Sequence, residues 1–145
     1  MEQLRESWMD FIDFWNWDFR IDKHWSYELG ISKDQSIRST KQYLNRLRYV
    51  KGFKFGAIVF VPLNRDGLPH AHIVMIKDPS EKKNRGMSAD LLKSISLRYC
   101  TSCSVTDVVN NIQAIYLLKE KNLNLYNPQR LEWYFYRNNL LKDLR

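Results

Sequence analysis

The sequence predicts an α+β domain in which a central antiparallel β-sheet is flanked by helices. Three observations carry that expectation. Two segments place a capping residue before an apolar stripe at helical spacing. A β-rich run, a turn signal and a second β-rich run make a hairpin. The elements then follow the order strand, helix, two strands, helix, strand, helix, helix, which suits helices packed on an antiparallel sheet. The 145 residues read as one domain, 1–145, with apolar material for one core.

The first residues are crowded with aromatic side chains, and Met9 to Asp13 could close a short helix. Trp17, Phe19 and Ile21 then alternate with Asp18, Arg20 and Asp22, which is strand period and predicts a strand from about Trp15 to Lys23. Ser32 and Asp34 can cap a helix running to about Val50, with Ile37, Tyr43, Leu44, Leu47 and Val50 as its apolar stripe. Gly52 ends it, and Phe53 to Leu63 reads as a strand. Asn64-Arg65-Asp66-Gly67 is a turn signal, and Pro69 to Ile76 is the returning strand. Lys77 to Gly86 reads as a charged loop, and Ser88 caps a helix from about Ala89 to Arg98. Val105 to Val109 predicts a short strand, and Ile112, Ile115, Tyr116 and Lys119 follow helical spacing to about Lys121. Pro128 opens a final predicted helix containing Leu131, Trp133, Tyr134, Leu140 and Leu141.

Lysine and arginine number 23 against 16 acidic residues, a net charge of +7 that points to a polyanionic partner. Aromatic residues interleaved with that charge suit stacking on unpaired bases, although a well-filled core with a basic surface accounts for the same composition. Arg38, Lys41, Arg46 and Arg48 lie along the polar face of the first capped helix and are candidate nucleic-acid contacts; a solvated helix face is the alternative. No apolar run approaches the ~18 residues of a membrane span, and the N-terminus lacks the form of a signal peptide, so a soluble, cytoplasmic protein is expected. Cys100 and Cys103 form a single C-x-x-C with no second pair, which excludes a four-ligand zinc site in this stretch. Two buried thiols are the ordinary reading, and a disulfide is the other.

His70-Ala71-His72 sits inside a predicted strand, so the period of two puts both imidazoles on one face and Ala71 on the other. Two such imidazoles can bind one metal ion, or can simply pack at a sheet surface. Tyr116 and Lys119 are three apart on a predicted helix and share a face. A phenol ionises near pH 10, so a nucleophilic tyrosine needs cationic help at neutral pH, and Lys119 is placed to give it. Tyr99 and Tyr126 have no lysine three residues later.

Gly67-Leu68-Pro69-His70-Ala71-His72-Ile73-Val74, followed by Ile115-Tyr116-Leu117-Leu118-Lys119, resembles the HUH superfamily of replication initiators, relaxases and small transposases. The motifs come in the expected order, with room between them for one helix and one strand. The resemblance implies an RRM-like or ferredoxin-like sheet of the HUH endonuclease type. It also implies a magnesium or manganese ion on His70 and His72, attack by Tyr116 on single-stranded or hairpin DNA, and a 5′-phosphotyrosine with a free 3′-hydroxyl. The acidic residue that such initiators carry in the strand before the histidines is replaced here by Phe60, Val61, Pro62 and Leu63. Glu120, one helical turn after Tyr116, is the expected third ligand, with Asn64 and His24 as weaker candidates.

A replication initiator of a plasmid or virus fits these motifs first, with unwinding left to a separate helicase. A small tyrosine transposase of the same superfamily is the alternative, favoured by size and by Glu120, and would be a homodimer. A non-catalytic module that stacks single-stranded nucleic acid on tryptophan and tyrosine is a third reading, and explains the charge and the aromatics but not the ordered motifs.

Overall fold

The computed structural model describes residues 16–61 and 69–108, together with the backbone of 133–136. The chain runs through β1 (Phe19–His24), α1 (Lys33–Tyr49), β2 (Phe55–Phe60), β3 (His70–Lys77), α2 (Ala89–Ser96), β4 (Ser102–Asp107) and β5 (Trp133–Tyr136), with short 3-10 turns at Tyr27–Leu29 and Lys82–Gly86. The strands form one sheet in the order β4-β1-β3-β2-β5, and every neighbouring pair is antiparallel. β1 and β2 both pair with β3, so they run parallel to one another and need a crossover, which α1 supplies. The expected α+β class with an antiparallel sheet is thus observed, in a connectivity compatible with a ferredoxin-like arrangement.

Local chemistry sets the helix ends. Ser32 Oγ accepts from Gln35 N at 3.1 Å while Gln35 Oε1 accepts from Ser32 N at 2.8 Å, a capping box that starts α1 at Lys33. Asp34 lies inside the first turn and is not the cap. At the other end Gly52 takes φ +76°, and Phe53 N returns to Leu47 O at 3.1 Å. A Cβ at Gly52 would also stand 2.8 Å from Lys83 Cδ, so glycine serves the turn and the contact together. Ser88 caps α2 through Leu91 N as expected, but the helix ends at Ser96, before Arg98.

The predicted loop after β3 is pinned by Asn84, whose Nδ2 donates to Lys54 O at 2.7 Å and Asp78 O at 2.9 Å while its Oδ1 accepts from Lys54 N. Buried in this way, its amide satisfies three backbone groups at the rim of the sheet.

One face of the sheet, carrying Phe19, Ile21, Ala57, Val59, Ala71, Ile73 and Met75, packs against Tyr43, Leu44 and Leu47 of α1 and Leu92 and Ile95 of α2. β2 is buried at all its positions, and β3 from His70 to Ile76. Ile58, Phe60 and Val74 are therefore covered on the second face too, which explains why these strands read as continuous apolar runs.

Two expectations are corrected. The final predicted helix fails at Trp133–Tyr136, which is strand β5 paired with β2: Trp-Tyr-Phe-Tyr favours a pleated surface, and the open edge of β2 supplies the partner. β4 begins at Ser102, three residues before the expected start, because Ser102 and Cys103 pair with His24 and Lys23. No helix among the described residues is long and apolar enough to cross a membrane.

Candidate metal centre

The period of two in β3 holds. Ala71 is fully buried on the helix-packed face, and His70 and His72 emerge on the other, each nearly buried. Their rings meet edge to face at a centroid separation of 4.9 Å. Pairing with β1 brings two more polar residues to this face, because Asp22 lies opposite His72 and His24 opposite His70. The exposed His24 ring stacks on that of His70 with centroids 5.6 Å apart and planes 7° from parallel.

Asp22 organises the group. Its Oδ1 lies 2.6 Å from His72 Nδ1, and both carboxylate oxygens accept from Arg20 Nε, at 3.1 and 3.2 Å. Burial pushes the Asp22 carboxyl up, but the His72 hydrogen bond and the charges of His72 and Arg20 outweigh it and hold the group below the ordinary aspartate value. An ionised Asp22 can only accept, so His72 Nδ1 carries the proton and donates. In the neutral ring this leaves the lone pair on Nε2, directed away from Asp22, the arrangement found behind histidines that bind metals.

The sequence did not single out Asp22. Its one signal was its place in the polar half of the β1 alternation, and the pairing of β1 with β3 turns that place into a contact.

The other expected site residues fall elsewhere. Tyr116, Lys119, Glu120 and Asn64 lie outside the described residues. Among the described residues, no group of three or more His, Cys, Asp or Glu side chains is arranged to hold a metal ion, and His24 does not complete one. Arg38 and Lys41 are exposed, and Arg46 and Arg48 half-buried, on a helix whose Tyr43, Leu44 and Leu47 press against the opposite face of the sheet. The structure therefore does not bring α1's basic residues together with the histidines; the sheet lies between them. Among the described residues, Arg20 supplies a cation on the histidine face. Beside it, Ser102, Ser104 and Thr106 of β4 are exposed, in register with His24, Asp22 and Arg20.

Comparison with family models, curated proteins and solved structures finds no match.

Proposed function

We propose that the chain is a metal-dependent single-stranded DNA nicking and joining enzyme of the HUH type, acting as a replication initiator alongside a separate helicase. One observation carries the reading: Asp22 fixes His72 beside His70 on neighbouring central strands. Two imidazoles, with a carboxylate behind one of them, offer two of the donors that such a cation would need. His70 and His72 would hold manganese or magnesium, with Glu120 as third ligand, and the ion would polarise the scissile phosphate as a Lewis acid.

The chain's own residues supply the rest. Asp22 keeps His72 in one tautomer and Arg20 keeps Asp22 ionised. The Tyr116 oxygen attacks phosphorus, forming a phosphotyrosine and releasing the 3′-oxygen, which takes a proton; Lys119 stabilises the phenolate. One phosphodiester replaces another, so a 3′-hydroxyl reverses the step without ATP.

The exposed strip of Ser102, Ser104 and Thr106 beside Arg20 favours a second reading, a non-catalytic module that binds single-stranded nucleic acid on this face. Incubating labelled single-stranded oligonucleotides with the protein and manganese separates the two. A covalent adduct mapped by peptide mass spectrometry to Tyr116, and lost in Tyr116→Phe, supports the enzyme. Retardation without an adduct, or an adduct on Tyr99 or Tyr126, overturns the assignment.

A further inference from the structure

On the helix-packed side of β1, Lys23 is wholly buried, and its Nζ has no hydrogen-bond partner among the described residues. Aromatic rings surround the amine: Tyr43 at 4.2 Å from Nζ to the ring centre, Tyr99 at 5.7 Å and Trp25 at 5.9 Å. Ring faces compensate a buried ammonium only in part. Burial draws the amine down to about 8, and the neighbouring Cys100 and Cys103 oppose that shift.

Lys23 pairs in register with Cys103, whose thiol is buried, and Cys100 stands half-exposed at the turn between α2 and β4. The two cysteines stand three residues apart across this turn, and each thiol is the largest influence on the titration of the other. Cys100 Sγ also lies 3.3 Å from Ser96 O and 3.5 Å from Ser96 Oγ, so a hydroxyl is at hand to donate to a thiolate.

The turn is clamped on both sides of Cys100. Tyr99 O accepts from Trp25 Nε1 and Ser39 Oγ, Thr101 N donates to His24 O, and Thr101 Oγ1 accepts from Ser26 N. An accessible thiol, a second thiol behind it, a hydroxyl donor and a buried cation are thus held in a fixed backbone.

We propose that Cys100 and Cys103 are a redox-active dithiol whose substrates are low-molecular-weight disulfides, with Cys100 as the attacking sulfur, Cys103 as the resolving sulfur and Lys23 as the buried counter-charge. The Cys100 thiolate attacks one sulfur of a disulfide such as glutathione disulfide, breaking its S–S bond and releasing one glutathione thiolate. Cys103 then attacks Cys100 Sγ, its proton passes to solvent, and the second glutathione leaves as a thiolate. Two protein thiols are oxidised to one disulfide, and one disulfide is reduced to two thiols. The titration of the pair runs the same way. Cys103, followed by Ser96 and Lys23, draws Cys100 down to about 6 against the effect of burial, while Cys103 is pushed up. This proposal is independent of the nuclease reading.

The test uses the reduced full chain in glutathione and glutathione disulfide buffers, quenched by alkylation and read by peptide mass spectrometry. The expected result is a Cys100–Cys103 disulfide in the natural chain, a stable glutathione adduct on Cys100 in Cys103→Ser, and no adduct on Cys103 in Cys100→Ser. Lys23→Met, shown to be folded by circular dichroism, should move the pH midpoint of Cys100 alkylation by iodoacetamide upward, because the buried counter-charge is lost. An unmodified Cys103→Ser chain, or an adduct on Cys103 in place of Cys100, overturns the proposal. So does an unchanged alkylation midpoint in folded Lys23→Met; if that variant does not fold, the two serine variants decide alone.

Discussion

Asp22 and His72 face each other across the β1–β3 pair with 2.6 Å between Oδ1 and Nδ1, which ties β1 to the histidine motif. If His72 binds a cation through its other nitrogen, the carboxylate sets both ring orientation and basicity. Asp22→Asn should weaken manganese binding about 10- to 100-fold while the fold survives. Electron paramagnetic resonance of free manganese during titration gives the affinity directly, and an unchanged value would remove Asp22 from the site.

His70→Ala and His72→Ala should each abolish cleavage but leave oligonucleotide retardation largely intact, because phosphate contacts by lysine and arginine supply most affinity. Chelation of the natural protein should reproduce that separation. Full cleavage by the double variant in the presence of a chelator would rule out the metal.

The charges of α1 lie on the far side of the sheet from the histidines. Neutralising Arg38, Lys41, Arg46 and Arg48 should therefore leave the cleavage rate at saturating DNA unchanged. Any phosphates they neutralise would appear only in a flatter salt dependence of binding, by about one unit of slope for each phosphate released from its cation. A large fall in the rate constant at saturation would mean that the DNA path wraps round to α1.

Lys23 should leave its mark on stability. Burial lowers it to about 8, against 10.5 for an ordinary lysine. Between those values the unfolded chain binds more protons than the folded one, so stability contributed through Lys23 rises with pH across that window; below about 8 the full cost of the buried charge is present. Lys23→Met keeps the apolar stem and should be more stable than the natural chain at pH 7, with the gap closing by about 3 kcal/mol towards pH 10.5. Denaturant melts of both proteins at several pH values measure the gap; a constant gap would mean the amine is neutral or solvated at pH 7.

What could be read from sequence followed the range of the interaction. Ser32, Gly52 and Ser88 act within a few residues of themselves, so both described helices begin where expected and α1 ends within a residue of its expected end. His70 and His72 share a face because alternation is a property of one strand. Asp22 needed the register of a second strand, and the separation of α1's arginines from the histidines needed the position of the whole sheet; neither is a local property. Trp133 to Tyr136 was misread for the same reason: four successive aromatic residues carry no period, and only the edge of β2 decides between helix and strand.

That edge has a consequence for how the chain is made. β2 is Phe-Gly-Ala-Ile-Val-Phe, uncharged, apolar and without proline, a composition suited to stacking against copies of itself. β3 pairs with one of its edges and β5 with the other. β3 follows β2 directly in synthesis, but β5 comes only after β3, α2 and β4, so a growing chain presents one bare edge for most of that interval. Fragments that stop short of Trp133 keep the edge bare for good and should self-associate into sheet-rich aggregates as their concentration rises, which makes β5 a guard against aggregation.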